Sequence, residues 1–493
     1  MKKLVDFIQQ SIIYIYTFLV GITLFSAIQL NQYIFGATGI SVVTILGIIV
    51  IMTLIYKVEI LHKVIRSFFD NYAFIVAVIL FCLAIIWQFV LAMKAATPIG
   101  FDVGGIFEAA KSPETFGDYF SNYPNNLLLL LIFGKINLLG ILTWENLALI
   151  TAVLVSFSAI LNLFTVYFID KKKVITLMYI ESFWLFLYPM VLVPYSDSWV
   201  LPLVSLYLLG YFGTCYSKNR FLKMLFAIIM GINIVLAYYI KPSSIIPVIA
   251  IAIMYFLNLL KNKFKVTSLH LVTILILCST LFLVNTCVKD IQTNQEFIQI
   301  DSNKSFPPLH FIAMGLSENG GFNGEDVTDM QLAKSVNERK NISLEKIKKR
   351  LSDRGILGYI RFIYRKHVLN TADGSFGWLK EGNFIVANAK KSGISGMIQN
   401  FIYPDGKRLG DFFLIAQLWW CAWLSLLVLG YKEKSRPTNL LRLAVIGGVI
   451  FLLIFEGGRS RYLIQFIPVL LILATLVANK SLITMKRILS SVH

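Results

Sequence analysis

Four short segments combine charged side chains with turn residues beside long apolar runs. They are GFDVGG around Asp102, YSDS around Asp197, YIKPSS around Lys241, and FEGGRSRY, which contains Arg459, Arg461 and Tyr462. A carboxylate can take a proton from a hydroxyl group, and an arginine fork binds phosphate oxygens through two parallel hydrogen bonds. If the segments meet, they form a site with carboxylates on one side and cations on the other.

Each segment also has a plainer interpretation. Asp102 would be a hydrated loop residue, Asp197 would cap the next helix, and Lys241 would extend to the membrane interface. Glu456 would pair with Arg459 within the last turn. If Asp197 instead lies beside Asp102, the two carboxylates could divide the roles of base and positioning group, or bind a divalent cation. The sequence identifies no cofactor, and a divalent metal is an open alternative.

The composition indicates which elements must position these residues. Of the 493 residues, 57% are hydrophobic and 15% are charged, whereas soluble domains have about 45–50% and about 25%. This balance predicts an all-α polytopic membrane protein and excludes a cytosolic enzyme, a disordered chain and a secreted disulfide scaffold. The net charge of +18 is explained by basic residues in short cytoplasmic loops, so a nucleic-acid partner is not expected.

Apolar runs predict about twelve spans. They fall near residues 10–30, 39–56, 72–94, 144–168, 173–190, 199–216, 222–240, 244–260, 268–287, 410–430, 440–456 and 462–478. Basic clusters at 57–66, 171–173, 218–223, 261–265 and 432–436 should be cytoplasmic, as should both ends of the chain. Residues 127–142 are interpreted as an interfacial or re-entrant helix, with a true short span as the alternative.

This topology divides the chain into three parts. Residues 1–287 are membrane helices with a first outer loop at 95–143 that carries Asp102, residues 288–408 form an α-rich extracytoplasmic domain, and residues 409–493 are the C-terminal membrane helices. Four further outer residues are candidates for contact with a second substrate, namely Tyr123, Glu108, His310 and Asp326.

The order of these features resembles the GT-C superfamily of membrane glycosyltransferases. The closest likeness is to the branch with protein O-mannosyltransferases and the aminoarabinose transferase that modifies lipid A. Asp102 in GFDVGGIFEAA matches the family's carboxylate in the first outer loop, and Tyr123-Pro124-Asn125-Asn126-Leu127 is similar to its YPPL-like interfacial helix. Arg459-Ser460-Arg461-Tyr462 with Pro468 resembles a late R-x-RY…P element, and residues 241–243 look like a recurrent KPS turn.

The resemblance has departures and one further likeness. Val103 follows Asp102 where the family has an adjacent acidic pair, Asn125 replaces the second proline, and two extra spans precede the first large loop. The insertion at 288–408, with FPPLHFIAMGLSENGGFNGEDV, looks like that of Gram-positive wall-polymer glycosyltransferases.

The resemblance implies an activity. A polyprenyl-phosphate-linked sugar would be transferred to a hydroxyl of a cell-wall polysaccharide or teichoic-acid-like polymer, with inversion. Asp102 would be the base, and Lys241, Arg459, Arg461 and Tyr462 would hold the donor phosphate. The protein would be a multi-pass protein of a Gram-positive cell membrane with its site on the extracytoplasmic face. The alternatives are a lipid-linked saccharide flippase or transporter, for which Glu181 is the main mid-span charge, and a polysaccharide polymerase or ligase.

Overall fold

The fold consists of α-helices joined by short turns and 3-10 segments. A computed structural model describes residues 2–30, 36–262 and 267–491. Within these ranges the backbone forms no β-strand, and an isolated bridge pairs Ile99 with Ile385. The basic cluster predicted at 261–265 falls partly on residues 263–266, which lie outside the described residues.

The helices are numbered here in chain order. They are α1 (Lys2–Ile28), α2 (Gly39–Lys57), α3 (Glu59–Ala95), α4 (Phe101–Ala109), α5 (Gly117–Asn122), α6 (Leu127–Leu138), α7 (Trp144–Asp170), α8 (Val174–Phe186), α9 (Ser196–Trp199), α10 (Leu201–Tyr216), α11 (Arg220–Ile240), α12 (Ile246–Asn262), α13 (Ser268–Thr293), α14 (Pro308–Met314), α15 (Gly324–Leu332), α16 (Val336–Thr371), α17 (Trp378–Glu381), α18 (Gly393–Ile402), α19 (Leu409–Leu429), α20 (Arg436–Ile454) and α21 (Ile467–Ser491).

The described ranges contain eleven apolar helical segments long enough to cross a membrane. One of them, Trp144–Phe186, contains both α7 and α8, joined at Lys171–Lys173. Asn162 on α7 donates a hydrogen bond of 2.9 Å to Glu181 on α8, so α8 folds back along α7. The sequence prediction counted this hairpin as two spans, which accounts for its total of twelve. The chain is an all-α polytopic membrane protein.

The short apolar run at 127–142 forms α6, which has 12 residues. At about 1.5 Å per residue such a helix covers about 18 Å, less than the roughly 30 Å of a hydrocarbon core. Leu130 and Phe133 are buried on one side of α6, and Leu138 is exposed at its end. Its length therefore agrees with the prediction that this run does not cross the membrane by itself.

Helix α21 forms the centre of the bundle. Residues 463–478 are all buried, as expected for a helix that is apolar on every side and is surrounded by other helices. At the other extreme, α2 has no buried residue. An apolar helix with that exposure is suited to contact with lipid.

Residues 288–408 are not separate from the bundle. Within this segment α16 has 36 residues and bends at Gly355, which has φ 57° and ψ −177°. Before the bend, Arg350 forms an ion pair of 2.7 Å with Asp326. After the bend, His367 contacts the Thr23 hydroxyl of α1 at 2.9 Å. The first half of α16 therefore belongs to the polar segment, and the second half packs against the membrane helices.

Candidate functional site

Asp102 lies in the first turn of α4, a helix that begins immediately after a tight connection from α3. The connection is held by a hydrogen bond from Gly100 N to Phe384 O at 3.0 Å. The Asp102 side chain is half-buried, and Tyr195 donates its hydroxyl to the Asp102 carboxylate at 3.2 Å. The N-terminal position on α4 also favours a negative charge.

Asp197 is buried and forms two ion pairs. Its carboxylate is 2.7 Å from Lys241 Nζ and 3.4 Å from Arg461 Nε. The N-cap of α9 is Tyr195, without a side-chain capping bond, so the capping interpretation of Asp197 does not describe this structure. Because both partners in these ion pairs are cations, Asp197 serves as their counter-ion.

Arg461 is enclosed by aromatic rings and carboxylates. Its guanidinium carbon lies 5.1 Å from the Phe101 ring centroid, 5.4 Å from that of Tyr195 and 5.2 Å from that of Tyr462. Such distances are typical of cation–π contacts. A second carboxylate, that of Glu381, is 3.1 Å from Arg461 Nη1. Arg461 therefore joins the start of α4, the 195–197 turn and α17.

Arg459 also pairs with Glu381, at 3.1 Å, and its side chain is 26% exposed against 5% for Arg461 and 10% for Lys241. The expected pairing of Glu456 with Arg459 is not what the contacts show, since Glu456 accepts a hydrogen bond of 2.9 Å from Tyr462. Of the three cations predicted to hold a phosphate, Arg459 is thus the most accessible.

Glu381 was missed by the sequence analysis. It is fully buried at the end of α17, in the stretch GSFGWLKEG. Gly377, at φ 88°, precedes this helix, and a Cβ there would come within 2.8 Å of Arg461 N. The sequence offered only an indirect indication of this residue. Two arginines in a buried turn require a buried anion nearby, but the sequence does not say which acidic residue supplies it.

The turn between α20 and the Ser460–Phe466 3-10 helix is fixed by α16. Lys366 Nζ donates to Leu453 O at 3.0 Å and Phe455 O at 2.7 Å, and Asn370 accepts from Gly458 N at 2.6 Å. The loop that follows α16 also holds this turn, because the Ser460 hydroxyl donates a hydrogen bond of 2.8 Å to the Asp373 carboxylate. The second half of α16 therefore sets the position of the turn that carries Arg459 and Arg461.

Tyr119 and Tyr123 lie near Asp102, whose charge acts on both phenol groups. The Tyr119 and Tyr123 rings are 5.2 Å apart. Burial raises the pKa of Tyr123, and the charges of Asp102 and Glu456 raise it further. Burial also raises the pKa of Glu456, with a smaller contribution in the same direction from Asp102. Asp102 and Glu456 thus interact electrostatically with each other and with Tyr123, and Glu456 is a second acidic group near Asp102.

Three predicted residues are not brought to Asp102. Glu108 is exposed at the far end of α4, 3.8 Å from Lys111. His310 is buried between Phe306 and Phe311, and burial lowers its pKa to about 4. The same two phenylalanine rings also contact Tyr123, at centroid distances of 5.1 Å and 6.4 Å.

Asp326 is the third of these residues. Its buried carboxylate pairs with Lys346 at 2.6 Å, in addition to Arg350, which gives it a structural role within the polar segment. Of the four candidates for contact with a second substrate, Tyr123 lies near enough to Asp102 for the two side chains to interact electrostatically. Over the described ranges, no group of three or more His, Cys, Asp or Glu side chains is arranged to hold a metal ion.

Comparison with known proteins identifies a family. Residues 4–482 match the family described as conserved hypothetical integral membrane protein, which is nearly the whole chain. No curated protein and no solved structure matches the chain. Since the match extends from the first membrane helix to the last, the chain belongs to the conserved hypothetical integral membrane protein family.

Proposed function

We propose that the protein is a membrane glycosyltransferase of the GT-C type that uses a polyprenyl-phosphate-linked sugar. The acceptor is a hydroxyl group of an extracytoplasmic polymer, such as a cell-wall polysaccharide or a teichoic-acid-like polymer. The reaction is a single displacement: the acceptor oxygen bonds to the anomeric carbon while the bond to the phosphate oxygen breaks. The base receives the acceptor proton, and the lipid phosphate leaves with the bonding electrons.

One observation carries this proposal. The half-buried Asp102 carboxylate lies against Tyr195, whose ring also contacts Arg461 in the cationic turn. A base and a group of cations within one cluster are what transfer from a phosphate leaving group requires. In this arrangement Asp102 takes the proton, and Arg459 contacts the leaving phosphate because its side chain is the most accessible of the cations.

The buried ion pairs change the roles that we propose for the cations and for Tyr462. Lys241 and Arg461 are buried as well as paired with carboxylates, so their main task is to hold the cluster together. Tyr462 supports Glu456 by its hydrogen bond. The donor phosphate is then recognised by Arg459 at the edge of the cluster, with the buried cations contributing a positive field behind it.

The transporter alternative has no comparable support. Glu181, its main mid-span charge, is fully buried and accepts a hydrogen bond from Asn162, which in turn accepts one from Ser205. These bonds connect α7, α8 and α10. A polymerase or ligase would use the same cations without a single essential carboxylate, so the Asp102 experiment separates it from the proposal.

The test is complementation of a deletion strain with Asp102→Asn. Loss of a general base typically costs about 10²–10⁴-fold in rate, so this variant should leave the wall glycans as they are in the deletion strain. Mass spectrometry of wall glycans measures the outcome. Purified Asp102→Asn should still bind polyprenyl phosphate as the wild type does.

The matched control is Asp118→Asn, which removes an exposed carboxylate of the same loop. It should restore the wild-type glycans. Full restoration by Asp102→Asn would refute its role as base, and identical glycans in the deletion and wild-type strains would refute the glycosyltransferase proposal as a whole.

A further inference from the structure

The bend in α16 separates two halves of different character. Residues 336–354 contain ten charged side chains, whereas residues 356–371 contain three. The backbone of Gly355 lies in a region that is essentially restricted to glycine. The helix therefore changes both direction and composition at one residue, as expected where a helix passes from water to an apolar environment.

The second half of α16 runs antiparallel to the end of α1. Tyr364 contacts Ser26 at 3.4 Å, and three residues later His367 contacts Thr23 at 2.9 Å and Leu19 O at 3.2 Å. Helix α1 ends at Ile28, so Thr23 lies about 7.5 Å before that end. The contacts place the end of α16 beside the final part of a membrane-crossing helix, at the depth of one leaflet.

An exposed apolar stripe runs along this half. Ile356, Leu357, Ile360 and Tyr364 are 83%, 81%, 61% and 45% exposed. Residues 356, 360 and 364 share one face of the helix by their spacing of four. A contiguous exposed apolar surface of this kind marks an interaction site. Phe25 and Ile28 are likewise exposed on the adjoining end of α1, so the Tyr364 end of the stripe adjoins a lipid-facing surface.

Two cations border the stripe. Arg361 and Arg365 are exposed and four residues apart, next to the row of Ile356, Ile360 and Tyr364. Arginine side chains at such positions extend their charged ends to the membrane interface, where lipid phosphates lie. The pattern of an apolar face bordered by arginines is that of a helix placed in the interface of a membrane.

We propose that the second half of α16 inserts into the leaflet on the side of Asp102, where its apolar stripe contacts acyl chains and Arg361 and Arg365 bind anionic lipid headgroups. The partner is the lipid surface because the stripe adjoins the exposed end of α1 and the bordering charges are positive. The opposite face of the same half holds the 455–458 turn through Lys366 and Asn370. Contact with lipid is thus mechanically linked to the turn that carries Arg459.

The test places single cysteines on α16 of the full-length protein in nanodiscs of phosphatidylethanolamine and phosphatidylglycerol. The five native cysteines are free thiols, and they are first replaced by serine in a background with unchanged thermal unfolding. Ile360→Cys and Leu357→Cys carry a spin label, and Glu345→Cys in the first half is the matched control. Labels at 357 and 360 should be relaxed more by oxygen than by a water-soluble nickel chelate, and the label at 345 should show the reverse.

The charges are tested with brominated lipids and a fluorophore at position 360. Brominated phosphatidylglycerol should quench in preference to brominated phosphatidylcholine, by about fivefold for each arginine, and Arg361→Gln with Arg365→Gln should abolish the preference. Equal access of the nickel chelate at 345 and 360 would overturn the proposal. Protection of position 360 from oxygen, nickel chelate and brominated lipid alike would also overturn it, since that result means that a second copy covers the stripe.

Discussion

At the scale of single residues, the contacts of Arg461 explain how the cluster is held. Three aromatic rings surround its guanidinium, and Asp197 and Glu381 pair with it. Each of these carboxylates is buried, and a buried charge is costly unless it is paired. Arg461 is therefore a structural centre of the site, while its neighbour Arg459, which also pairs with Glu381, is more exposed and can contact a ligand.

This difference in burial and pairing predicts effects of different size for two similar substitutions. Arg461→Ala should lower the free energy of unfolding by about 3–5 kcal/mol because it leaves two buried carboxylates without one of their cations. Arg459→Ala should destabilise the protein less, because its partner Glu381 keeps Arg461, and it should weaken polyprenyl phosphate binding roughly 10–100-fold, the value of a charged hydrogen bond. Thermal unfolding in detergent and a polyprenyl phosphate binding assay measure the two effects. A stable Arg461→Ala protein with weak binding would instead assign Arg461 to the phosphate.

At the scale of elements, the bend of α16 decides which residues reach the site. The first half pairs with α15 through Asp326, and the second half reaches the 455–458 turn through Lys366. A straight helix could not satisfy both sets of contacts. The bend depends on Gly355, whose φ of 57° is unfavourable for residues with a Cβ.

The element-scale prediction concerns this glycine. Gly355→Ala should destabilise the protein by about 1–3 kcal/mol through backbone strain. A steric clash does not contribute, because a Cβ at this position meets no atom within 4 Å. Gly358→Ala is the matched control, because Gly358 lies within the same helix without a positive φ. It should be neutral or stabilising by up to about 1 kcal/mol. Thermal unfolding measures the stability of the two variants. Equal changes in stability would show that the positive φ at Gly355 does not require glycine.

At the scale of the whole molecule, the cluster joins parts of the chain that are far apart in sequence. Asp197 before α10, Lys241 after α11 and Arg461 before α21 meet in one set of ion pairs. Glu381 adds the segment between α16 and α18. The bundle can hold the site only when these helices are assembled together.

A double-mutant cycle tests this assembly. Asp197→Asn and Lys241→Met should each destabilise the protein, and the double variant should lose less than the sum, with a coupling of about 0.5–3 kcal/mol. The cause is that the second substitution removes a charge that the first left unpaired. Thermal unfolding of the four proteins gives the coupling. Strict additivity would mean that the 2.7 Å pair does not contribute to stability.

The sequence alone determined the class of fold and the segments of the site. Long apolar runs must form helices in a membrane because hydrocarbon satisfies no backbone polar group, so the spans, the short helix after residue 124 and the segments around Asp102, Asp197, Lys241 and Arg461 were predictable. Each of these features depends on the composition and spacing of residues within a single segment of the chain.

Only the tertiary structure decided which charges meet. Glu381 is 80 residues from Arg461 along the chain, and no local pattern connects the two. His310 and Asp326 have the residue types of a site, yet they are buried among other partners in the 288–408 segment. A pairing between buried charges depends on which helices lie side by side, and that is settled by the packing of the entire bundle.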